Sequence, residues 1–166
     1  MFDVNLNVND LSICSLNRAD IIPIKQWLET QNSNESYLNI DEFSERFIES
    51  YVSENEFFVK ILKDNEFIGI IKGRIEFKNG NEVWIWTFII NNNLKKDNLE
   101  SIILDNLEKY FAEEFGIYNF FTIIAEDNVD AKKFWSSNGF KLLRIAENYF
   151  KSDGKDIDML IYKRFP

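Results

Sequence analysis

Runs of apolar residues with two different periods predict four helices and seven strands along this chain. The longest helix is predicted over 97–115, because apolar residues recur there every three or four positions until a glycine stops the pattern. A helix opened by Asn17 or Asp20, a second at about 41–52 and a short one from Asp130 follow the same period. Strand-like runs occupy 11–16, 57–62, 67–77, 82–90, 120–125, 140–149 and 156–165.

The order of these elements is β-α-α-β-β-β-α-β-α-β-β, which predicts an α+β fold. Short polar turns such as Asp64-Asn65 and the segment 152–155 join neighbouring strands, so the sheet should be mixed but mostly antiparallel. The strand–helix–strand unit over 82–125 supplies its parallel crossover. No repeat or Pro/Gly-rich linker interrupts the 166 residues. We therefore expect a single domain over 1–166, with about seven strands flanked by about four helices.

The net charge of −9 and the absence of histidine narrow the possible functions. Nucleic-acid binding is disfavoured, because neutralising phosphates requires clustered Lys and Arg, which only the pairs 95–96 and 132–133 offer. Without histidine the chain lacks the commonest general base and the commonest metal ligand. We therefore expect neither a nucleic-acid partner nor a metal site.

The start of the chain and its cysteine content favour a soluble cytoplasmic protein. Residues 1–5 include no basic or long apolar leader, so no signal peptide is expected. The longest apolar run, near 83–90, is far shorter than the ~20 residues that a membrane helix needs, so no membrane partner is expected. The single Cys14 cannot form an internal disulfide and is interpreted as a small buried hydrophobe.

The stretch 128–140 carries the strongest functional information in the chain. It follows the apolar run 120–125, Asn128 or Asp130 can cap a short helix there, and Gly139 can end that helix. Its pattern, Asn-x-x-Ala-x-x-aromatic-aromatic-x-x-x-Gly-Phe, resembles the second acyl-CoA-binding motif of the GCN5-related N-acetyltransferase (GNAT) superfamily. The predicted element order also coincides with that of the family over nearly the whole length. The resemblance implies an acyl-CoA N-acyltransferase (GNAT-like) fold with acetyl-CoA (acyl-CoA) as co-substrate.

The expected phosphate-binding loop departs from the family pattern. In the family a loop reading Arg/Gln-x-x-Gly-x-Gly/Ala holds a pyrophosphate on backbone N–H groups at a helix N-terminus. The matching stretch here, 95–100, reads Lys-Lys-Asp-Asn-Leu-Glu. Asn98 should partly replace the first glycine, since asparagine visits the left-handed region. Glu100 puts a carboxylate where the family has a small residue, and Asp97 adds another, so binding should be weakened unless Glu100 turns to solvent.

The resemblance implies further acyl-CoA contacts outside that loop. Asn128 is expected near the pantetheine arm, and Lys133 either meets phosphates or lies on a solvated helix face. Phe134 and Trp135 are expected along the pantetheine channel, with a core role equally open for Phe134. A backbone N–H near Ile90 would polarise the thioester carbonyl. The contacts expected from the loop and the helix start are Lys95, Lys96, Asn98, Leu99, Glu100 and Ser101.

The catalytic base is not identified by the resemblance. The family often uses a glutamate at the position that Trp84 occupies here. Weak candidates are Glu82, about 7 Å from Trp84 along the same strand, and Glu126 after the next strand. Both are also interpreted as carboxylates that are simply solvated or that cap a helix. Tyr149 offers a spare hydroxyl or is a surface aromatic. Trp135 aligns with the usual acid tyrosine, and its indole N–H cannot give up a proton at neutral pH.

The acceptor pocket of the family is usually bounded by the first two helices and a late strand turn. Carboxylates and aromatics in those segments would suit a cationic, amine-bearing acceptor, either a small molecule or a peptide. Trp84 and Trp86 share one strand face, where they narrow the pocket or belong to the core. The substrate-binding candidates are Trp27, Glu29, Tyr37, Trp84 and Tyr149.

Two functions remain open at this point. The first is an N-acetyltransferase that moves an acetyl group from acetyl-CoA to a primary amine by direct attack, which the motif over 128–140 favours. The second is a catalytically inactive GNAT-fold protein that binds a metabolite or a protein, which the altered loop and Trp84 favour. Family habit makes a homodimer possible.

Overall fold

A computed structural model describes residues 1–31, 40–78, 80–95 and 97–165, apart from the side chain of Ser152. Within these ranges, eight strands form one sheet with four helices packed against its two faces. The strands are β1 (Asn5–Val8), β2 (Leu11–Ser15), β3 (Glu56–Lys63), β4 (Glu66–Glu76), β5 (Glu82–Ile90), β6 (Asn119–Ala125), β7 (Phe140–Ser152) and β8 (Lys155–Arg164). The helices are α1 (Ile21–Glu29), α2 (Phe43–Val52), α3 (Leu99–Phe115) and α4 (Val129–Ser137).

The sheet has the strand order β1-β2-β3-β4-β5-β6-β8-β7. Every neighbouring pair is antiparallel except β5 and β6, which α3 connects as a parallel crossover. The predicted α+β arrangement with a mixed, mostly antiparallel sheet is therefore confirmed.

Two apolar layers lie on opposite faces of the sheet. Consecutive residues of a strand point to opposite faces, so Phe57 joins the layer that holds α3 and α4, while Phe58 joins the layer that holds α1 and α2. Both phenylalanines are fully buried. α3 and α4 cover one face of the sheet. On the opposite face, β5, β6 and β8 extend past α2, and none of the described helices covers them there.

Two hairpin turns predicted from the sequence are confirmed. Asp64 and Asn65 have φ values of 50° and 66° between β3 and β4, and Asp153 and Gly154 have 50° and 75° between β7 and β8. Two consecutive positive φ values match the right-handed twist of the flanking strands, and Asn, Asp and Gly tolerate them best.

The structure differs from the sequence prediction at two places. β1, over 5–8, adds an eighth strand that pairs with β2 at the sheet edge. Its sequence Asn-Leu-Asn-Val is half asparagine, a residue depleted in strands, so the local pattern did not predict it. α3 begins at Leu99 rather than at 97, because Asn98 has a left-handed backbone that helical residues do not adopt. None of the described helices is long and apolar enough to span a membrane.

Candidate active site

β5 and β6 lie side by side over their first halves and separate over their second halves. Their parallel pairing ends with Ile85 opposite Thr122, although β5 continues to Ile90 and β6 to Ala125. At this last pair the Thr122 hydroxyl donates a 2.9 Å hydrogen bond to the Ile85 carbonyl. Beyond it the sheet opens into a cleft between the two strands.

A β-bulge in β5 turns two consecutive side chains toward the same side of the sheet. Lys72 of β4 lies opposite Thr87 and Gly73 lies opposite Ile85, which leaves Trp86 as the extra residue. Trp86 and Thr87 both line the same cavity. The bulge therefore widens the surface that β5 presents beside the cleft.

The N-terminus of α3 follows β5 and has free backbone donors. Asn98 precedes the helix with φ 53° and ψ 18°, and its side chain makes no capping hydrogen bond. The first backbone bond of the helix runs from the Ile102 N–H to the Asn98 carbonyl, at 3.0 Å. The N–H groups of Leu99, Glu100 and Ser101 therefore have no partner within the helix and can meet an anion.

Glu100 is the part of this helix start that does not suit a phosphate. The residue is half-buried rather than turned out to solvent, and this burial raises the pKa of its carboxyl above the usual range, against the opposing field of Lys95. The left-handed Asn98 and the three N–H groups suit a diphosphate, whereas an ionised Glu100 opposes it. Lys95 is exposed, so it is accessible to an anion, while Lys96 lies outside the described residues.

α4 lies within the motif over 128–140 and packs beside β5. The Asn128 side chain accepts a 3.1 Å hydrogen bond from the Ala131 N–H and so caps the helix. Phe134 is half-buried with its ring centroid 5.7 Å from that of Phe88, whereas Trp135 is only 5% exposed and packs into the core. Of the two aromatic residues, Phe134 is therefore the more exposed one.

A cavity of about 830 Å³ lies on the face of the sheet opposite α3 and α4. The side chains that line it come from α2, from the first residue of β3, and from each of β4, β5, β6, β7 and β8. Trp86 and Thr87 of β5 and Ile123 of β6 belong to this lining and lie beyond the last β5–β6 pair. The diverging segments of the two strands thus form part of the cavity wall.

Trp84, which lines the cavity, is held in place by two neighbouring side chains. Its ring stacks on Phe121 with centroids 4.5 Å apart and planes at 10°. Its indole nitrogen donates a 3.2 Å hydrogen bond to Glu82 Oε2. Glu82 therefore orients Trp84 in addition to any chemical role.

A buried ion pair on the cavity wall was missed by the sequence analysis. Lys72 Nζ lies 3.1 Å from Glu56 Oε2, which also accepts a 2.9 Å hydrogen bond from the Ser50 hydroxyl. The ammonium lies 4.7 Å from the centre of the Trp86 ring. Burial lowers the pKa of Lys72, and the nearby Glu56 carboxylate opposes this shift. A lysine within an apolar strand pattern could have suggested such a partner.

The sequence matches the family model described as an acetyltransferase (GNAT) domain over residues 13–161. The chain belongs to the GNAT family. That family uses acetyl-CoA as acyl donor, and the predicted GNAT-like fold is confirmed. Among curated proteins, no relative matches the sequence.

Solved GNAT structures share the fold at low sequence identity. An acetyltransferase from Salmonella typhimurium that modifies the N-terminal serine of the 50S ribosomal subunit protein L7/L12 has a TM-score of 0.78 at 17% identity, with 96% of each chain covered. The RimL ribosomal L7/L12 alpha-N-protein acetyltransferase in complex with coenzyme A has 0.77 at 16% identity, with 98% of each covered. The ribosomal-protein-S18-alanine N-acetyltransferase from Escherichia coli has 0.69 at 14% identity, covering 93% of this chain and 92% of that one.

The structure brings some of the predicted GNAT acceptor residues together and separates others. Trp84 and Tyr149 both line the cavity, and Tyr149 is 62% exposed. Trp27 packs edge-on against Phe67 at 4.9 Å, and Glu29 is exposed at the end of α1, so neither belongs to the cavity lining. Ile24 and Leu28 of α1 are buried in the apolar layer, and α2 is the helix that lies beside the cavity.

The remaining predicted residues have different positions. Tyr37 lies outside the described residues, so its predicted role has no structural counterpart here. Glu126 is exposed directly after β6, and its backbone N–H donates a 3.0 Å hydrogen bond to the Asp158 carbonyl. Lys133 is exposed on α4, whereas Ile90 is fully buried at the end of β5.

Proposed function

We propose that the protein is an N-acetyltransferase that moves the acetyl group of acetyl-CoA to a primary amine. One observation carries this proposal: Trp86, Thr87 and Ile123, from the two diverging strands, line the large cavity on one face of the sheet. From the end of β5 the chain continues through residues 91–98 to the open N-terminus of α3. A donor held at that helix start and an acceptor in the cavity can therefore meet in the cleft between the strands.

The reaction needs little covalent chemistry from the protein. A base first takes the ammonium proton, and the neutral amine nitrogen then attacks the thioester carbonyl carbon. A C–N bond forms and the C–S bond breaks, and the leaving thiolate of coenzyme A takes up the second proton that the nitrogen loses. The N–H groups of Leu99, Glu100 and Ser101 would hold the diphosphate. Asn128 and Phe134 would lie along the pantetheine arm, and the N–H near Ile90 would polarise the carbonyl.

The candidates for the proton acceptor are Tyr149, Glu82 and Glu126. Tyr149 is exposed and lines the cavity, Glu82 is the first residue of β5, and Glu126 follows the last residue of β6. Glu82 already accepts the Trp84 N–H, which ties it to the wall. Any of the three could act through water.

The acceptor is proposed to be a primary amine of a small molecule or of a peptide N-terminus. Among the neighbouring structures, one enzyme modifies the N-terminal serine of L7/L12 and another is named for the alanine of protein S18. A cavity of about 830 Å³ has room for several residues of an extended peptide or for a compact metabolite.

The half-buried Glu100 supports a second candidate, a GNAT-fold protein that binds a ligand without transferring acetyl groups. An ionised carboxylate among the diphosphate donors would weaken acetyl-CoA binding by repulsion. In that case the cavity would serve as a plain binding site for a metabolite or a protein segment.

Calorimetric titration with acetyl-CoA separates the two candidates. We expect binding at micromolar to low millimolar concentration, and acetylated product by mass spectrometry when a tripeptide amine is added. Asn98→Gly combined with Glu100→Gly should bind acetyl-CoA more tightly, because it restores the small residues and removes a negative charge. Glu114→Gln, on the exposed far end of α3, is the matched control. No heat at millimolar acetyl-CoA, with either wild type or the double variant, would contradict the proposal.

A further inference from the structure

The carboxylates on the α2 side of the cavity already have cationic partners. Arg46 lies 2.9 Å from Glu42 and 2.8 Å from Glu49, which are one helical turn away on either side. Glu56 is held by Lys72 and by Ser50, as described above. A cationic acceptor would have to compete with these ion pairs for the same oxygens.

The guanidinium groups of Arg144 and Arg74, on the other walls of the cavity, have fewer hydrogen-bond and ion-pair partners than that of Arg46. Arg144 of β7 lines the cavity and is exposed, and its side chain makes no hydrogen bond or ion pair with any part of the chain that the structure describes. Arg74 of β4 has a buried Nε atom without a hydrogen-bond partner among the described residues, and its ion pair with Glu76 is long, at 3.6 Å. The Arg144 guanidinium is therefore available to an anion in the cavity, and Arg74 keeps donors that its one long ion pair does not use.

The charge of the cavity wall contrasts with the charge of the whole chain. The wall carries four Arg or Lys and four Glu side chains, whereas the chain as a whole has a net charge of −9. An acidic protein that keeps a neutral cavity, with one unpaired guanidinium group at Arg144 and a weakly paired one at Arg74, is suited to a ligand that carries a negative charge.

We propose that the acceptor is an amine that carries an anionic group, a carboxylate or a phosphate, and that Arg144 and Arg74 determine this specificity. The inference rests on the proposed acetyl transfer. The earlier expectation of a cationic acceptor depended partly on Glu29, which is not part of the cavity lining. Trp84, Trp86 and Phe150 supply apolar surface for the uncharged part of the acceptor.

Four tripeptide amides that differ only in the middle residue test the inference: Ala-Glu-Ala, Ala-phosphoserine-Ala, Ala-Gln-Ala and Ala-Lys-Ala. Their dissociation constants are measured by calorimetry on the full chain without acetyl-CoA, and kcat/KM is measured with it. We expect the glutamate or the phosphoserine peptide to bind about tenfold more tightly than the glutamine peptide. The comparison between those two peptides identifies the preferred anion.

Arg144→Gln should remove most of this preference, and Arg74→Gln should reduce it. Arg144 is exposed, so its replacement should not disturb folding. Lys141→Gln, an exposed cation on the same strand outside the cavity lining, is the matched control and should keep the preference.

Equal binding of all four peptides, or tightest binding of the lysine peptide, would overturn the inference. Equal acetylation of all four would do so while leaving the proposed acetyl transfer intact. A preference for the anionic peptides without any acetyl-CoA binding would instead refute the proposed transfer and leave the charge preference established.

Discussion

Lys72 Nζ lies 3.1 Å from Glu56 Oε2, and both side chains are buried, at 6% and 15% exposed, beside the large cavity. The two residues come from neighbouring antiparallel strands, with Lys72 directly opposite Phe58. Removing two charges from water is costly, and their mutual attraction offsets that cost only while both are present. The pair therefore connects the stability of the β3–β4 hairpin with the shape of the large cavity.

Lys72→Met should lower the free energy of unfolding by about 3 kcal/mol, because it leaves the Glu56 carboxylate buried without its cation. Lys72→Met combined with Glu56→Gln should recover most of this loss. Urea unfolding measures both variants. Lys63→Met, which breaks a more exposed ion pair with Asp10, is the control and should cost far less than Lys72→Met. A double variant as unstable as Lys72→Met would show that the ion pair is not the cause.

Glu100→Gln should raise the affinity for acetyl-CoA and reduce its pH dependence. Burial raises the pKa of Glu100, so the carboxyl gains its proton at a higher pH than an exposed glutamate does. In the wild type, affinity should increase as pH falls through this pKa, because protonation removes a negative charge beside the proposed diphosphate site.

Calorimetric titrations between pH ~5 and ~7.5 check this prediction, since the phosphate groups of the ligand titrate equally with both proteins. Glu114→Gln serves as the control at the far end of α3. Parallel affinity curves for wild type and Glu100→Gln would show that the carboxylate does not contact the site.

The sequence predicted the parts of the fold that depend on neighbouring residues. The 3.6-residue period of α3 and the Asp64-Asn65 turn are local patterns, and both are present in the structure. The motif over 128–140 led to the correct family because its capping asparagine and ending glycine also act locally. In contrast, β1 depends on pairing with β2, and its own sequence does not favour a strand.

The missed features of the site depend on contacts between distant residues. The bulge at Trp86 adds Thr87 to the cavity side, which strict alternation along β5 excludes. Lys72 and Glu56 are 16 residues apart and meet only when β3 and β4 pair. The cavity position of Arg144 depends in the same way on the register of β7 against β8.

Glu108→Gln should stabilise the protein at neutral and higher pH. Burial raises the pKa of Glu108 to about 7, despite Arg164 at 3.6 Å, and one of its oxygens is buried without a partner among the described residues. The folded state therefore favours the protonated form. The stabilising contribution of this proton is complete below the ordinary pKa of 4.5 and is lost as pH rises through about 7.

Thermal or urea unfolding of both proteins at several pH values measures the difference. We expect Glu108→Gln to be more stable than wild type at pH ~8 by roughly 1–3 kcal/mol, and the two to converge at pH ~4. Glu113→Gln, an exposed glutamate on the same helix, should show no such change. A constant difference across the pH range would refute the raised pKa of Glu108.

Glu82→Gln distinguishes a positioning role of Glu82 from a role as proton acceptor. The amide oxygen of glutamine can still accept the Trp84 indole N–H, so the ring should remain stacked on Phe121. We expect kcat to fall by less than about threefold, because the carboxylate is already engaged and lies before the point where β5 and β6 separate. A general base would lose about a hundredfold or more and would change the acid limb of the pH–rate profile. Tyr149→Phe, measured in the same assay, provides the comparison, since Tyr149 is exposed and lines the cavity. A loss confined to Glu82→Gln would make Glu82 the base and contradict the positioning role.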